Sequence, residues 1–130
     1  MADLIVFDEQ DAVVRGDGIT SIRLTPHPLE DQGFTVGITS FPPGTSIRLH
    51  SHNCIEQVTL IEGEGTVVLN GEERPVKPYD TTQVPSGDFH RFINSGETQM
   101  RILWVYGAVE VTRTFADTGE TVPQFHNPGA

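Results

Sequence analysis

An all-β fold is predicted by three features of this sequence. Short runs alternate apolar and polar residues, as strands do. Turn residues recur about every 8 to 12 positions, the spacing of a sandwich or barrel. No stretch keeps apolar residues at i, i+3, i+4 and i+7 for three turns, so helices are not expected. With 13 Gly and 9 Pro among 130 residues, the chain favours short elements and many turns. That length suits one domain, taken as residues 1–130.

The elements follow in order. Residues 13–24, VVRGDGITSIRL, read as an outlying strand pair, with Arg15-Gly16-Asp17 as part of a turn. Residues 1–33 therefore supply N-terminal strands. In FTVGITSF, Phe34, Val36 and Ile38 alternate with Thr35, Gly37 and Thr39. In EQVTLIEG, Val58 and Leu60 alternate with Thr59 and Ile61. TVVLNGEERPV is a hairpin, because Asn70-Gly71 supplies the positive-φ residues of a tight turn. TTQVP and HRFIN are extended segments around the turn PSGD, and NSGE at 94–97 is another turn. MRILWVYGAVEV reads as a strong strand, apolar on both faces between Ile102 and Tyr106. One parity of it, Met100, Ile102 and Trp104, is expected to line a pocket. Residues 117–130 are expected to form an irregular tail.

Composition excludes several functions. Eight Lys+Arg against 18 Asp+Glu give a net charge of −10, with no basic run. Nucleic acid and anionic membrane surfaces are therefore the wrong partners. The lone cysteine, Cys54, excludes an intrachain disulfide and points to a reducing compartment. No apolar run approaches the ~18 residues of a membrane span. The opening MADLIVFDEQ carries acids where a signal peptide carries a basic head. The expectation is a cytoplasmic, soluble protein.

Chemistry concentrates in RLHSHNCIEQ, residues 48–57. Two residues apart on a strand share a face, so His50 and His52 project together, with Arg48 on the same parity. Turned inward, two imidazoles are costly unless paired, and a metal ion satisfies both. Glu56 is a plausible third ligand for a borderline divalent ion. His90, in VPSGDFHRFIN, is a fourth candidate if an antiparallel neighbour brings it across. His27 and His126 lie in proline-flanked loops and read as solvated. Cys54 reads as a small packed hydrophobe and Tyr79 as a turn residue. Gly63-Glu64-Gly65 is a turn and not a phosphate loop, since no lysine or helix follows.

These residues resemble the two motifs of the cupin superfamily. Motif one, G-x5-H-x-H-x3-E-x6-G, matches residues 44–63 at every spacing: Gly44, His50, His52, Glu56 and Gly63. Motif two, G-x5-P-x-G-x2-H-x3-N, matches residues 79–94 at Pro85, Gly87, His90 and Asn94. Its opening glycine is replaced by Tyr79. The resemblance implies a double-stranded β-helix barrel of the jelly-roll kind. It also implies one divalent transition metal (Fe, Mn, Ni, Zn or Cu) held by His50, His52, Glu56 and His90.

The function expected from these features is a metal-dependent enzyme acting on a small oxygenated molecule, an enol, diol or keto compound. A dioxygenase or related oxidoreductase comes first. Metal-dependent isomerases, lyases, decarboxylases and cyclases are the alternative, and a non-catalytic sensor or binding module is a second one. Glu56 and Arg48 are the catalytic candidates, Glu56 as a base and Arg48 as a holder of an anionic substrate. Similar small cupins pair through N-terminal strands, so a homodimer is expected.

Overall fold

The computed structural model describes residues 2–125. Apart from one 3-10 turn at Phe7–Glu9, its regular structure is entirely β. In chain order the strands are β1 Ala12–Gly16, β2 Ile19–Arg23, β3 Thr35–Phe41, β4 His50–His52, β5 Glu56–Glu62 and β6 Gly65–Leu69. They continue with β7 Glu72–Val76, β8 Thr81–Val84, β9 His90–Ile93, β10 Met100–Tyr106, β11 Thr112–Phe115 and β12 Thr121–Pro123. Two six-stranded sheets result, ordered β1-β2-β3-β10-β5-β8 and β12-β11-β4-β9-β6-β7, with every pairing antiparallel. This is the predicted all-β jelly roll.

Local chemistry accounts for several elements. Asn70 and Gly71 both take positive φ and join β6 to β7, as the hairpin reading requires. Tyr79 also takes positive φ, +79°. That is the left-handed region glycine adopts freely, taken here by a tyrosine at the motif's glycine position. The segment read as one long strand, residues 100–111, is strand only as far as Tyr106; bends follow, and β11 begins just beyond it, at Thr112, in the other sheet. Gly107, whose amide bonds to the Ile55 carbonyl at 2.9 Å, marks the break. Residues 121–123, expected to be irregular, instead pair with β11. A run of three residues is too short to carry a periodic signal.

The inner face of the first sheet is graded in layers. Across β3, β10 and β5, Thr39, Ile102 and Leu60 are register partners. The next layer is Gly37, Trp104 and Val58, and the last is Thr35, Tyr106 and Glu56. Beyond the first of these lie Phe41 and Met100, both fully buried. The core is therefore apolar at one end, where Leu60, Val67 and Phe92 also sit, and polar at the other. Gly37 is required by close packing, since a Cβ there would collide with the Trp104 ring. On β3 the inward residues are Thr35, Gly37, Thr39 and Phe41, while Val36 and Ile38 are half-buried on the outer face.

Candidate metal centre

The polar end of the barrel gathers the histidines. β4 lies between β11 and β9 in the second sheet, and His50 stands directly opposite His90. His50 and His52 share a face by strand parity, and all three rings are buried. Ring centroids are 4.7 Å apart for His50–His52, 4.5 Å for His50–His90 and 5.2 Å for His52–His90. One ligand nitrogen from each lies within 4.8 Å of the others, close enough to share an ion.

The backbone fixes which nitrogen faces the centre. Nδ1 of His50 sits 2.6 Å from the Arg48 carbonyl, Nδ1 of His52 3.0 Å from that of Thr112, and Nδ1 of His90 3.0 Å from that of Asp88. A carbonyl only accepts, so each Nδ1 donates its proton and each Nε2 keeps a free lone pair. Nε2 of His52 and of His90 are buried without a hydrogen-bond partner.

Glu56 enters from the opposite sheet, at the first position of β5, and is 4% exposed. Its Oε1 lies 2.8 Å from His90 Nε2 and 3.7 Å from His52 Nε2. Oε1 also makes no regular hydrogen bond. Three neutral imidazoles and a carboxylate, with orphaned donor atoms converging inside the protein, fit a borderline divalent transition metal.

Electrostatics favour the neutral form at two of the three imidazoles. Burial, then the neighbouring His90 and His52, holds the His50 imidazole well below the usual range. Burial lowers His52 as well, against an opposing pull from Glu56. For His90 burial pulls downward, but the bond and charge of Glu56 and the nearby Asp88 outweigh it, and the net shift is upward. Tyr106 is the register partner of Glu56, and its ring lies 4.7 Å from His52. Burial pushes its phenol well up, with the Glu56 charge and a hydrogen bond to Glu56 adding to the shift.

A cavity of about 320 Å³ opens from this centre. Its walls include His50, Glu56, His90, Ile102, Trp104 and Tyr106. Of the parity expected to line a pocket, Ile102 and Trp104 do so; Tyr106 joins them, and Met100 lies deeper in the core.

Arg48 lines this cavity at its mouth. It precedes β4 and is not in a strand, so the parity argument does not reach it. Its Nη2 bonds to Asp117 Oδ1 at 2.7 Å, with side chains 49% and 66% exposed, and its guanidinium lies 3.7 Å from the centre of the Phe115 ring. Two other arginines, which sequence reasoning missed, sit deeper. Arg113 on β11 is the register partner of His52, and Arg15 comes from β1. Burial first, and then repulsion from Arg113, lowers the Arg15 guanidinium to about 10. The signal for Arg113 was its position two residues from Phe115 on a strand, legible only once β11 is known to flank β4.

The remaining candidates lie elsewhere. Cys54 is buried, its thiol raised by burial, and it is not in the histidine group. His27 and Tyr79 are exposed. His126 lies outside the described residues.

Comparisons with known proteins agree with this geometry. The cupin domain family matches residues 37–106, more than half of the chain. An oxalate-binding protein of Thermotoga maritima is 37% identical over 65 residues, covering 49% of this chain and 54% of that protein. A 5-nitrosalicylic acid 1,2-dioxygenase of Bradyrhizobium is 28% identical over 65 residues, 50% of this chain and 31% of that one. The chain spans about half the length, or less, of the first curated relatives it matches. Among solved structures, a sugar phosphate isomerase of the cupin superfamily from Silicibacter pomeroyi superposes with a TM-score of 0.78. It is 23% identical, and the match covers 94% of this chain and 87% of the other. At that identity the likeness speaks for the fold. Motif spacing, jelly-roll topology, the buried histidines and the matching family together place this chain in the cupin family.

Proposed function

We propose that this chain is a metal-dependent enzyme of the dioxygenase or oxidoreductase kind, acting on a small enol, diol or keto compound. One observation carries the metal-dependent part: three buried imidazoles, each held through Nδ1 by a backbone carbonyl, aim Nε2 toward one another and toward Glu56. In this reading His50, His52, Glu56 and His90 hold one divalent transition metal. Such an ion supplies Lewis acidity to a chelated oxygen donor and, when redox-active, exchange of electrons with O2.

The chain's own residues do the rest. The backbone carbonyls orient the imidazoles and turn each Nε2 toward the centre. Tyr106, the register partner of Glu56, stands beside its carboxylate, and burial holds the phenol protonated there. Glu56 is therefore the group placed to hold or release a proton at a bound substrate. Ile102 and Trp104 form an apolar wall that excludes water from the substrate's body. The curated dioxygenase relative supports the oxidative reading.

A second reading is non-redox chemistry, as in isomerases, lyases, decarboxylases and cyclases. The buried Glu56 carboxylate favours it, since a carboxylate beside a bound substrate is placed to act as a base. A non-catalytic binding module is the third, supported by the oxalate-binding relative.

Element analysis of protein purified without a metal-affinity tag tests these readings, followed by O2 uptake against a panel of small enols and diols. Iron, copper or nickel with uptake is the expected result. Zinc or manganese with turnover but no uptake selects the non-redox class. Metal-free protein without turnover overturns the enzyme reading.

A further inference from the structure

Two of the chain's seven arginines are half-buried in the cavity wall beside the histidines, and among the described residues neither has a carboxylate partner. Arg15 and Arg113 line the same cavity as His50, Glu56 and His90. Among the described residues neither makes an ion pair: the recorded pairs join Arg48 to Asp117, Lys77 to Asp80, and His52 and His90 to Glu56. This is unusual in a chain with 18 acids, where a half-buried guanidinium ordinarily finds one.

The fold takes trouble to place them. Arg15 occupies a register shift between Val14 and Gly16 in the β1–β2 pairing. Such bulges re-aim a side chain at the rim of a barrel. Its Nε donates to Ser21 Oγ at 3.1 Å, and its Nη1 donates to the Gln124 carbonyl at 2.9 Å. Ser21 Oγ in turn lies 2.7 Å from Thr39 Oγ1, which accepts from Trp104 Nε1 at 2.8 Å. A buried polar chain thus braces Arg15 using neutral groups only. Its Nη2 is buried and makes no hydrogen bond. Arg113 is placed by strand register beside His52, and its buried Nε makes none either. Asp17 also lines the cavity, but it is exposed and pairs with neither arginine.

We propose that Arg15 and Arg113 form a subsite for the carboxylate of a small organic acid whose other end lies against the histidine–Glu56 centre. The unpaired guanidinium N–H groups match a carboxylate's oxygens, which Lys could not do with the same geometry. The apolar wall of Val58, Ile102 and Trp104 suits a hydrocarbon body between the two ends. A volume of about 320 Å³ falls at the small end of ligand sites, roughly 300–1,000 Å³. This inference names a substrate class for the function proposed above, yet it stands on residues that are not metal ligands.

Trp104 is the only tryptophan and lines the cavity, so its fluorescence reports occupancy. The probes are acetate, benzoate and oxalate, with benzyl alcohol as the neutral counterpart of benzoate and phenyl phosphate as the competing anion. Each is titrated into metal-loaded and chelator-treated protein. Arg113→Gln is the primary variant, because among the described residues the Arg113 side chain makes no hydrogen bond whose loss would disturb the fold; Arg15→Gln/Arg113→Gln follows. Expected are saturable binding of at least one carboxylate and a loss of about tenfold to hundredfold in its affinity in the variants. Benzyl alcohol and metal content should be unaffected. Failure of all three carboxylates to bind overturns the proposal, as does equal carboxylate affinity in wild type and Arg113→Gln. Tighter binding of phenyl phosphate than of benzoate overturns the carboxylate assignment. Carboxylate binding that survives chelation and still depends on Arg113 supports the subsite even if the metal reading fails.

Discussion

Chelating any metal and then acidifying should destabilise this protein along a path set by two buried histidines. In the fold, burial above all holds His50 and His52 below their ordinary values, with the other histidines adding to it and Glu56 opposing it at His52. In the unfolded chain they return to about 6.5. Below that pH the unfolded state binds protons that the folded state excludes, so stability falls as pH falls. Each excluded proton contributes up to about 1.4 kcal/mol per pH unit, and the pair up to about 2.7 kcal/mol per unit. His90 has the opposite sign. Its folded value is raised, so its contribution is complete below the unfolded value and is lost as pH rises through the folded one. It therefore adds no slope on the acid side. Against a total of about 5–15 kcal/mol, one pH unit removes a large share of the stability. Urea midpoints read by circular dichroism from about pH 7 to about pH 5.5, in chelator, measure the slope. The variant His50→Gln/His52→Gln should lose most of it. Equal slopes in wild type and variant would refute the reasoning.

Four further outcomes are expected. Glu56→Gln should keep the fold and bind divalent metal about 10- to 100-fold more weakly, read by competition with a chromophoric chelator; unchanged affinity removes Glu56 from the ligand set. Arg48→Met should change stability by only ~0–1 kcal/mol in urea titration, because its ion pair with Asp117 is half-exposed, and should leave metal content alone. Tyr79→Gly should stabilise by roughly 0.5–1 kcal/mol, since the exposed tyrosine takes a φ of +79° that glycine adopts freely; a lower thermal midpoint in the variant contradicts this. The free edge of β1 and the exposed Val14 beside it motivate the homodimer, which light scattering at micromolar concentration tests, a monomer mass rejecting it.

The fold and the histidine centre were legible because their signals are local. His50 and His52 share a strand face by parity alone, and Asn70-Gly71 announces its own hairpin. The motif spacings carried His90 and Glu56, whose proximity depends on two different sheets meeting. Arg15 and Arg113 were hidden for matching reasons. Arg15 sits in a bulge, where parity fails, and it looked like part of a turn. Arg113 faces the site because β11 pairs with β4, a contact about sixty residues apart in sequence that no periodicity encodes. Arg48 lines the same cavity, but not for the reason that parity gives. It lies two residues before His50, but the strand has not yet begun.

The layered barrel makes the site and the core one mechanical object. Along β10 the inward residues run Met100, Ile102, Trp104 and Tyr106, from fully apolar surroundings to the histidine centre. Trp104 stands in the middle layer, packed on Gly37 and bonded to Thr39, and Thr39 reaches Arg15 through Ser21. A methyl added at Gly37 must therefore displace the indole, and the overpacking should cost about 1–3 kcal/mol. The displacement would also loosen the chain of hydroxyls that braces Arg15. Gly37→Ala should thus weaken carboxylate binding while metal content holds, because the histidines hang on the other sheet, through β4 and β9. Loss of stability alone, with carboxylate affinity intact, would mean that Arg15 is positioned by its bulge and not by the indole network.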